Sequence, residues 1–226
     1  MHEDYYQNIV YPLQDKVLSL IGRLPVDFYL TGGTVLSRAY LSHRYSDDLD
    51  FFLNGAPDFK QQVLKILDSL KNSGLRIDTS AVDESYARII IISEGCNLKL
   101  DLINDVPYRN GTPVKTQLFI RTDNIMNILS NKMTALSRYA AKDVVDIVYI
   151  SESYSFNWEN VFKDASEKDL WVNPVNAAEV LEKFPVEKLQ EIIWMKNSPD
   201  KEWFLSRINK IIPDIMTGGS NSLFRQ

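Results

Sequence analysis

Cysteine and histidine are almost missing from this sequence: Cys96 is the one cysteine, and His2 and His43 are the two histidines. Disulfides within the chain are thereby excluded, as are zinc sites built from Cys and His. A Ser-His-Asp triad would rest on His43. Positive charge is also in deficit, with 25 Lys and Arg against 30 Asp and Glu and a formal net charge of -5. No global basic field is available, so any polyanion must be held by a local patch. No apolar run approaches the ~20 residues of a membrane span, and Glu3 and Asp4 stand where a secretory leader would carry its basic flank. The chain is therefore expected to be cytoplasmic, with no membrane partner. Neither a G-x-x-x-x-G-K-[ST] loop nor a G-x-G-x-x-G fingerprint occurs, which removes the main support for P-loop hydrolases and dinucleotide-binding folds, and the protein kinase motifs are missing too.

What remains is an ordinary globular composition of 226 residues, 45% hydrophobic and 24% charged, with 9 Gly and 9 Pro and no internal repeat. That is enough for one large domain or two small ones. Ile9, Val10, Leu13, Val17, Leu20 and Ile21 recur at helical spacing and predict a first helix over 5–22. Phe28 to Leu30 form a short strand that runs into the turn Thr31-Gly32-Gly33-Thr34, and Val35, Leu36, Ala39 and Tyr40 open a second helix. A strand over 48–53 precedes a helix over 58–72 whose stripe is Phe59, Val63, Leu64, Leu67 and Leu70, with Gly74 as its cap. Strands follow at 75–82, 86–93 and 97–103, and a short one at 117–120. From Asp123 the pattern turns helical, over 123–139, 142–152, 175–183, 187–194 and 200–212, and Thr217 to Ser222 read as a frayed tail. The boundary falls near 121, dividing the chain into 1–121 and 122–226.

The sharpest local feature is Asp48-Leu49-Asp50, because residues two apart on a strand share a face, with Cα atoms roughly 6.6 Å apart. Asp101 lies on the face opposite Leu98, Leu100 and Leu102 of its own strand and faces the same space if the two strands are neighbours. Three carboxylates so gathered repel by about 2 to 3 kcal/mol per pair at an effective dielectric near 20. They call for cations, and all-oxygen ligands favour Mg2+ or Mn2+. An Asp pair can equally end a loop and cap a strand. Upstream, Gly32, Gly33 and Thr34 form a strand-to-helix turn that admits a phosphate to backbone N–H groups at a helix start. A phosphate cradle followed by a paired-acid strand has the parts to handle a nucleoside triphosphate.

Lys132 shares its helix face with Ile125, Ile128, Leu129, Met133 and Leu136. Either its stem packs while the ammonium escapes to water, or it projects into a cleft and neutralises phosphate. Arg44 and Ser46 precede the acid pair, while Arg138, Lys142, Asp143 and Asp146 follow Lys132. Lys142 and Asp146 read as a surface pair four apart, His43 as an exposed loop residue, and Cys96 as packing. Trp158, Trp171, Trp194 and Trp203 read mostly as core.

Taken in order, Leu30-Thr31-Gly32-Gly33-Thr34-Val35-Leu36, Arg44-Tyr45-Ser46-Asp47-Asp48-Leu49-Asp50-Phe51, Lys132-Met133-Thr134-Ala135-Leu136-Ser137-Arg138 and Lys142-Asp143-Val144-Val145-Asp146 resemble the AbiEii/AbiGii-type toxin nucleotidyltransferases, a branch of the DNA polymerase beta-like superfamily. The last block departs from the pattern, with Lys142-Asp143 where an Arg-Asp pair is expected. The resemblance implies an α+β fold: a nucleotidyltransferase-like mixed sheet with flanking helices, then a mostly helical C-terminal half that completes a nucleotide cleft. It implies Mg2+-dependent transfer of a nucleoside monophosphate from an NTP to an acceptor hydroxyl. By position, Asp48 and Asp50 would hold metal, Gly32, Gly33, Thr34 and Ser46 would take the triphosphate, and Lys132 would touch its phosphates. Arg44, Arg138, Asp143 and Asp146 would support them. Asp101 is the third carboxylate, binding metal and helping to deprotonate the acceptor, with Asp146 as its competitor. The acceptor is expected to be RNA, such as a tRNA end, and the partner a neutralising antitoxin. Transfer to a small molecule or a protein, and an inactive nucleotide-binding module, are the alternatives.

Overall fold

The computed structural model describes residues His2–Arg225 and separates into two compact units. The first runs to Tyr40 and resumes over Tyr45–Asn124; the second takes Leu41–Arg44 and continues from Ile125. The sequence expectation puts the change at 121 and leaves Leu41–Arg44 in the first part.

The first unit opens with α1 (His2–Tyr5), a π-helical stretch (Tyr6–Val10) and α2 (Tyr11–Gly22). Pro12 has no N–H and its ring crowds the carbonyl four residues back, and there the helix widens. Tyr6, Val10, Leu13, Val17 and Ile21 are buried along one stripe. Next come β1 (Tyr29–Thr31), the single turn α3 (Gly32–Val35), a second π-helical stretch (Leu36–Leu41) and β2 (Leu49–Asn54). The unit is completed by α4 (Phe59–Asn72), β3 (Arg76–Val82), β4 (Tyr86–Ser93) and β5 (Cys96–Asp105).

The five strands form one mixed sheet in the order β1-β2-β5-β4-β3, in which β2 and β5 are parallel and the other neighbours antiparallel. Side-chain alternation separates its faces. Leu49, Phe51, Leu53, Ala87, Ile89, Ile91, Leu98, Leu100 and Leu102 are buried, each removing apolar surface worth about 1.5 to 3 kcal/mol for the larger side chains. Their sequence neighbours Asp50, Arg88, Lys99 and Asp101 stand on the other face. In α4 the buried stripe is Phe59, Val63, Ile66, Leu67 and Leu70, while Leu64, expected on it, is 55% exposed. Five residues beyond Phe59, Leu64 is rotated by about 140° from it. The strand expected at 117–120 is not formed. Only single bridges join Thr122 to Leu30 and to Val114, because the run Gln117 to Ile120 bends instead of extending.

The second unit is helical: α5 (Ile125–Ala135) with a 3-10 turn (Leu136–Arg138), α6 (Ala141–Ser153), α7 (Trp158–Ser166), α8 (Pro174–Glu182), a 3-10 segment (Val186–Glu191) and α9 (Lys201–Thr217). Helix α7 is absent from the sequence reading. Asn157 caps it by accepting from the Asn160 N–H, and Trp158, Val161, Phe162 and Ala165 form its buried stripe. Trp158 is fully buried, whereas Trp171, Trp194 and Trp203 are half-buried, so the expectation of a mainly core role for the tryptophans holds fully at one position. The tail is tied down and not frayed. Gly218 closes α9 at φ +64, the Trp158 N–H donates to the Gly219 carbonyl, and Asn221 Nδ2 donates to the carbonyls of Ser151 and Tyr154, each at 2.7 Å. No described helix is long and apolar enough to cross a membrane.

Candidate active site

Strand register builds the first cluster. Asp50 pairs with Thr31 on β1 and with Asp101 on β5, and Asp101 pairs in turn with Arg88 on β4. Four adjacent strands thus carry one row, Thr31-Asp50-Asp101-Arg88, with Asp48 just before β2. Asp101 and Asp50 lie side by side in the first unit, while Asp146 belongs to the second.

Cations of the chain already serve this row. Arg88 grips Asp101 with both arms of its fork, Nε to Oδ1 at 2.8 Å and Nη2 to Oδ2 at 2.9 Å, and the Tyr86 hydroxyl donates to Oδ1 at 3.1 Å. The bond to Asp101 raises the Arg88 pKa. Burial, and after it Asp101, push that of the Tyr86 phenol upward. Lys99 Nζ lies 2.6 Å from Asp48 Oδ2 and 3.8 Å from Asp101 Oδ2. Burial would lower the Lys99 pKa, but Asp48, Asp101 and Asp50 together outweigh it and the net shift is upward.

The glycine turn packs directly on the row. Gly32 sits at φ +77, and a Cβ there would collide with the Asp50 carboxylate, so Gly32 satisfies a backbone and a space requirement at once. Thr34 is buried and its hydroxyl donates to the Asp48 carbonyl, which fixes the acid loop to the turn. From the other side Gln14 Nε2 donates to the carbonyls of Ser46 and Asp47, each at 3.1 Å, and the Tyr6 hydroxyl donates to Asp47 Oδ1 at 2.5 Å while its ring stacks on Tyr45 at 4.0 Å. Thr31 Oγ1 donates to Asp123 Oδ2 and Arg109 Nη2 to Asp123 Oδ1, both at 2.7 Å, anchoring the end of β1.

The second unit holds a separate buried cluster. Lys132 Nζ lies 2.7 Å from Asp143 Oδ1 and 2.7 Å from Asp146 Oδ2. Arg44 Nε and Nη2 each reach Asp146 at 2.7 Å, and His43 Nε2 lies 2.8 Å from Asp146 Oδ1. Lys132 is therefore buried and paired, not snorkelling. Two expectations are corrected here. His43 is buried, because Leu41–Arg44 joins the second unit; and Asp146 is buried and held by Arg44 and Lys132, so it forms no surface pair with exposed Lys142. Burial opposes charge on Asp146, but Arg44, Lys132 and the His43 hydrogen bond keep its pKa well below the ordinary value. Burial drives the His43 pKa down despite Asp146, and its Nδ1 has no partner among the described residues. Arg138 is exposed on the 3-10 turn.

Sequence reasoning misses Lys99, Arg88, Gln14 and Tyr6. Lys99 had a signal, since it shares the parity of Asp101, and Arg88 is the lone charge opening an isoleucine run. Gln14 and Tyr6 had none, being polar positions within a helix. For a divalent ion the donor chemistry of Asp48, Asp50 and Asp101 fits, being all oxygen, and Gly32, having no Cβ, lets the Asp50 carboxylate stand directly against the turn. As placed, no three Asp, Glu, His or Cys side chains among the described residues are set to hold a metal together, since Lys99 and Arg88 engage Asp48 and Asp101.

Among solved structures, JHP933 from Helicobacter pylori is 18% identical, with 92% of this chain and 90% of that one covered at a TM-score of 0.58. MenT4, a nucleotidyltransferase toxin from Mycobacterium tuberculosis, is 14% identical, with 92% and 83% covered at 0.61. These likenesses show the fold. No curated protein sequence gives a significant match. The sequence model described as nucleotidyl transferase AbiEii toxin, Type IV TA system, matches residues 22–194, a span that contains the glycine turn, the acid row and the Lys132 cluster. This chain belongs to the AbiEii nucleotidyltransferase family, and it is a nucleotidyltransferase.

Proposed function

We propose that the protein transfers a nucleoside monophosphate from an NTP to a hydroxyl of RNA, using Mg2+ or Mn2+, as the cytoplasmic toxin of a toxin–antitoxin pair. The observation that carries the reading is the register that sets Thr31, Asp50 and Asp101 side by side across three strands, with Gly32 packed against the Asp50 carboxylate. A divalent ion bound by Asp48, Asp50 and Asp101 would supply Lewis-acid stabilisation of the phosphate oxygens. The chain's own residues do the rest. The backbone of Gly32 and Gly33 approaches the triphosphate, Thr34 holds the Asp48 loop, and Ser46 lines the same loop. The acceptor oxygen forms a bond to the α-phosphorus, the bond to the bridging oxygen of the β-phosphate breaks, and pyrophosphate departs. Asp101 takes up the hydroxyl proton. Lys132 as a phosphate contact, with Arg44, Arg138, Asp143 and Asp146 as its support, belongs to the same proposal and is supported by their place in the family motif.

The test is incubation with each of the four labelled NTPs, Mg2+ and total cellular RNA. Label in RNA, lost on chelation, is the expected result; label in protein or small molecules alone would shift the acceptor, and nucleotide binding without transfer would indicate an inactive module.

A further inference from the structure

Lys99 lies outside every motif block of the family, yet its ammonium occupies the middle of the acid row, 2.6 Å from Asp48 and 3.8 Å from Asp101. The placement is built into the strand. Lys99 and Asp101 are two residues apart on β5 and so share a face, and the register that pairs Asp50 with Asp101 brings Lys99 level with Asp48. The side chains of Lys99 and Asp48 are each about a third exposed, at 32% and 31%, whereas that of Asp101 is 8% exposed. Lys99 is thus a cation with an open route to water and a flexible four-carbon stem. Arg88, whose side chain is 40% exposed, differs in its bonding, since its rigid fork grips both oxygens of Asp101 from β4 while Lys99 makes one close contact, to Asp48.

We propose that Lys99 is a resident counter-cation of the carboxylate row, competing with divalent metal for Asp48 and Asp101 and giving way when metal enters. The inference rests on the reading of Asp48, Asp50 and Asp101 as the metal site. Metal alone must break an ion pair to bind, so its affinity is low. A nucleotide brings anionic oxygens that receive the released ammonium, so metal and nucleotide bind cooperatively. Lys99 acts as a positioning residue, through metal occupancy.

The experiment is titration of the full chain with Mn2+ alone, following free Mn2+ by its paramagnetic resonance signal, for the wild type, Lys99→Met, Lys99→Arg and the Lys99→Met/Asp50→Asn double variant, with folding checked by circular dichroism. Lys99→Met is expected to bind Mn2+ at least tenfold more tightly than wild type, about 1.4 kcal/mol, while Lys99→Arg, which keeps the charge, stays near wild type. With the Mn2+ bound by ATP in a protein-free control subtracted, ATP should raise the Mn2+ affinity of wild type more than that of Lys99→Met. Equal affinity in wild type and Lys99→Met, with the Asp50→Asn change weakening it, would overturn the inference and leave the metal site standing. Tight Mn2+ binding that survives Asp50→Asn, or no binding with or without ATP, would overturn both.

Discussion

At the residue scale the molecule separates charges that must stay from charges that can move. Asp146 is held from three sides by Arg44, Lys132 and His43, and the imidazole completes the set in its neutral form. The lowered His43 pKa has a definite sign. The unfolded chain takes a proton on this histidine near pH 6.5 while in the folded chain burial, with Arg44 and Lys132 adding to it, resists the charge despite Asp146. The stability His43 supplies is therefore fully present above about pH 6.5 and is lost as the pH falls below it. Melting curves of wild type and His43→Gln should differ most at neutral pH and converge on acidification; a gap independent of pH would assign the histidine a packing role alone. None of this was legible in the sequence. His43 beside Arg44 in a polar stretch looks like a surface loop, and only the capture of Leu41–Arg44 by the second unit buries it.

At the scale of elements, periodicity was a good guide wherever one face alone is buried. The alternation Leu98, Leu100, Leu102 locates β5 and sets Asp101 on the opposite face, and the stripe of α4 fails only at Leu64. The failures lie where tertiary contacts replace pattern. Helix α7 is nine residues long and begins after a polar-aromatic run that reads as loop, and the tail is ordered by Asn221, whose two carbonyl partners are distant in sequence. The Lys132 cluster is a similar case. Its helix places the lysine on the apolar face, but its partners come from α6, where Asp143 and Asp146 lie three apart on one side. Lys132→Met keeps the packing and leaves two buried carboxylates short of a cation, so it should destabilise by about 3 to 5 kcal/mol, read as a fall in the urea midpoint. Unchanged stability with impaired NTP use would instead mark Lys132 as a phosphate contact without structural weight.

At the scale of the whole molecule, a net charge of -5 means that the RNA acceptor proposed above would have to be held by local cations. Lys201 and Lys210 lie on α9, the former paired with Glu187 at 3.3 Å between exposed groups, so its charge is held loosely. If RNA is the acceptor, binding should weaken with salt in proportion to the phosphates neutralised, and Lys201→Glu with Lys210→Glu should impair transfer to RNA while sparing NTP binding. Salt-independent transfer would favour a small acceptor. The central claim, that the row across β1, β2 and β5 performs the chemistry, is tested most directly by Asp50→Asn. The substitution is nearly isosteric at a half-buried position, so the melting temperature should move by no more than about 2 °C, the effect of a half-kcal/mol change in a chain of this size. The measurement is incorporation of labelled nucleotide from the preferred NTP into RNA in the presence of Mg2+. Asp50→Asn is expected to lose at least a hundredfold, about 2.7 kcal/mol of transition-state stabilisation, in a protein that melts like wild type; transfer at near wild-type rates would place the chemistry elsewhere.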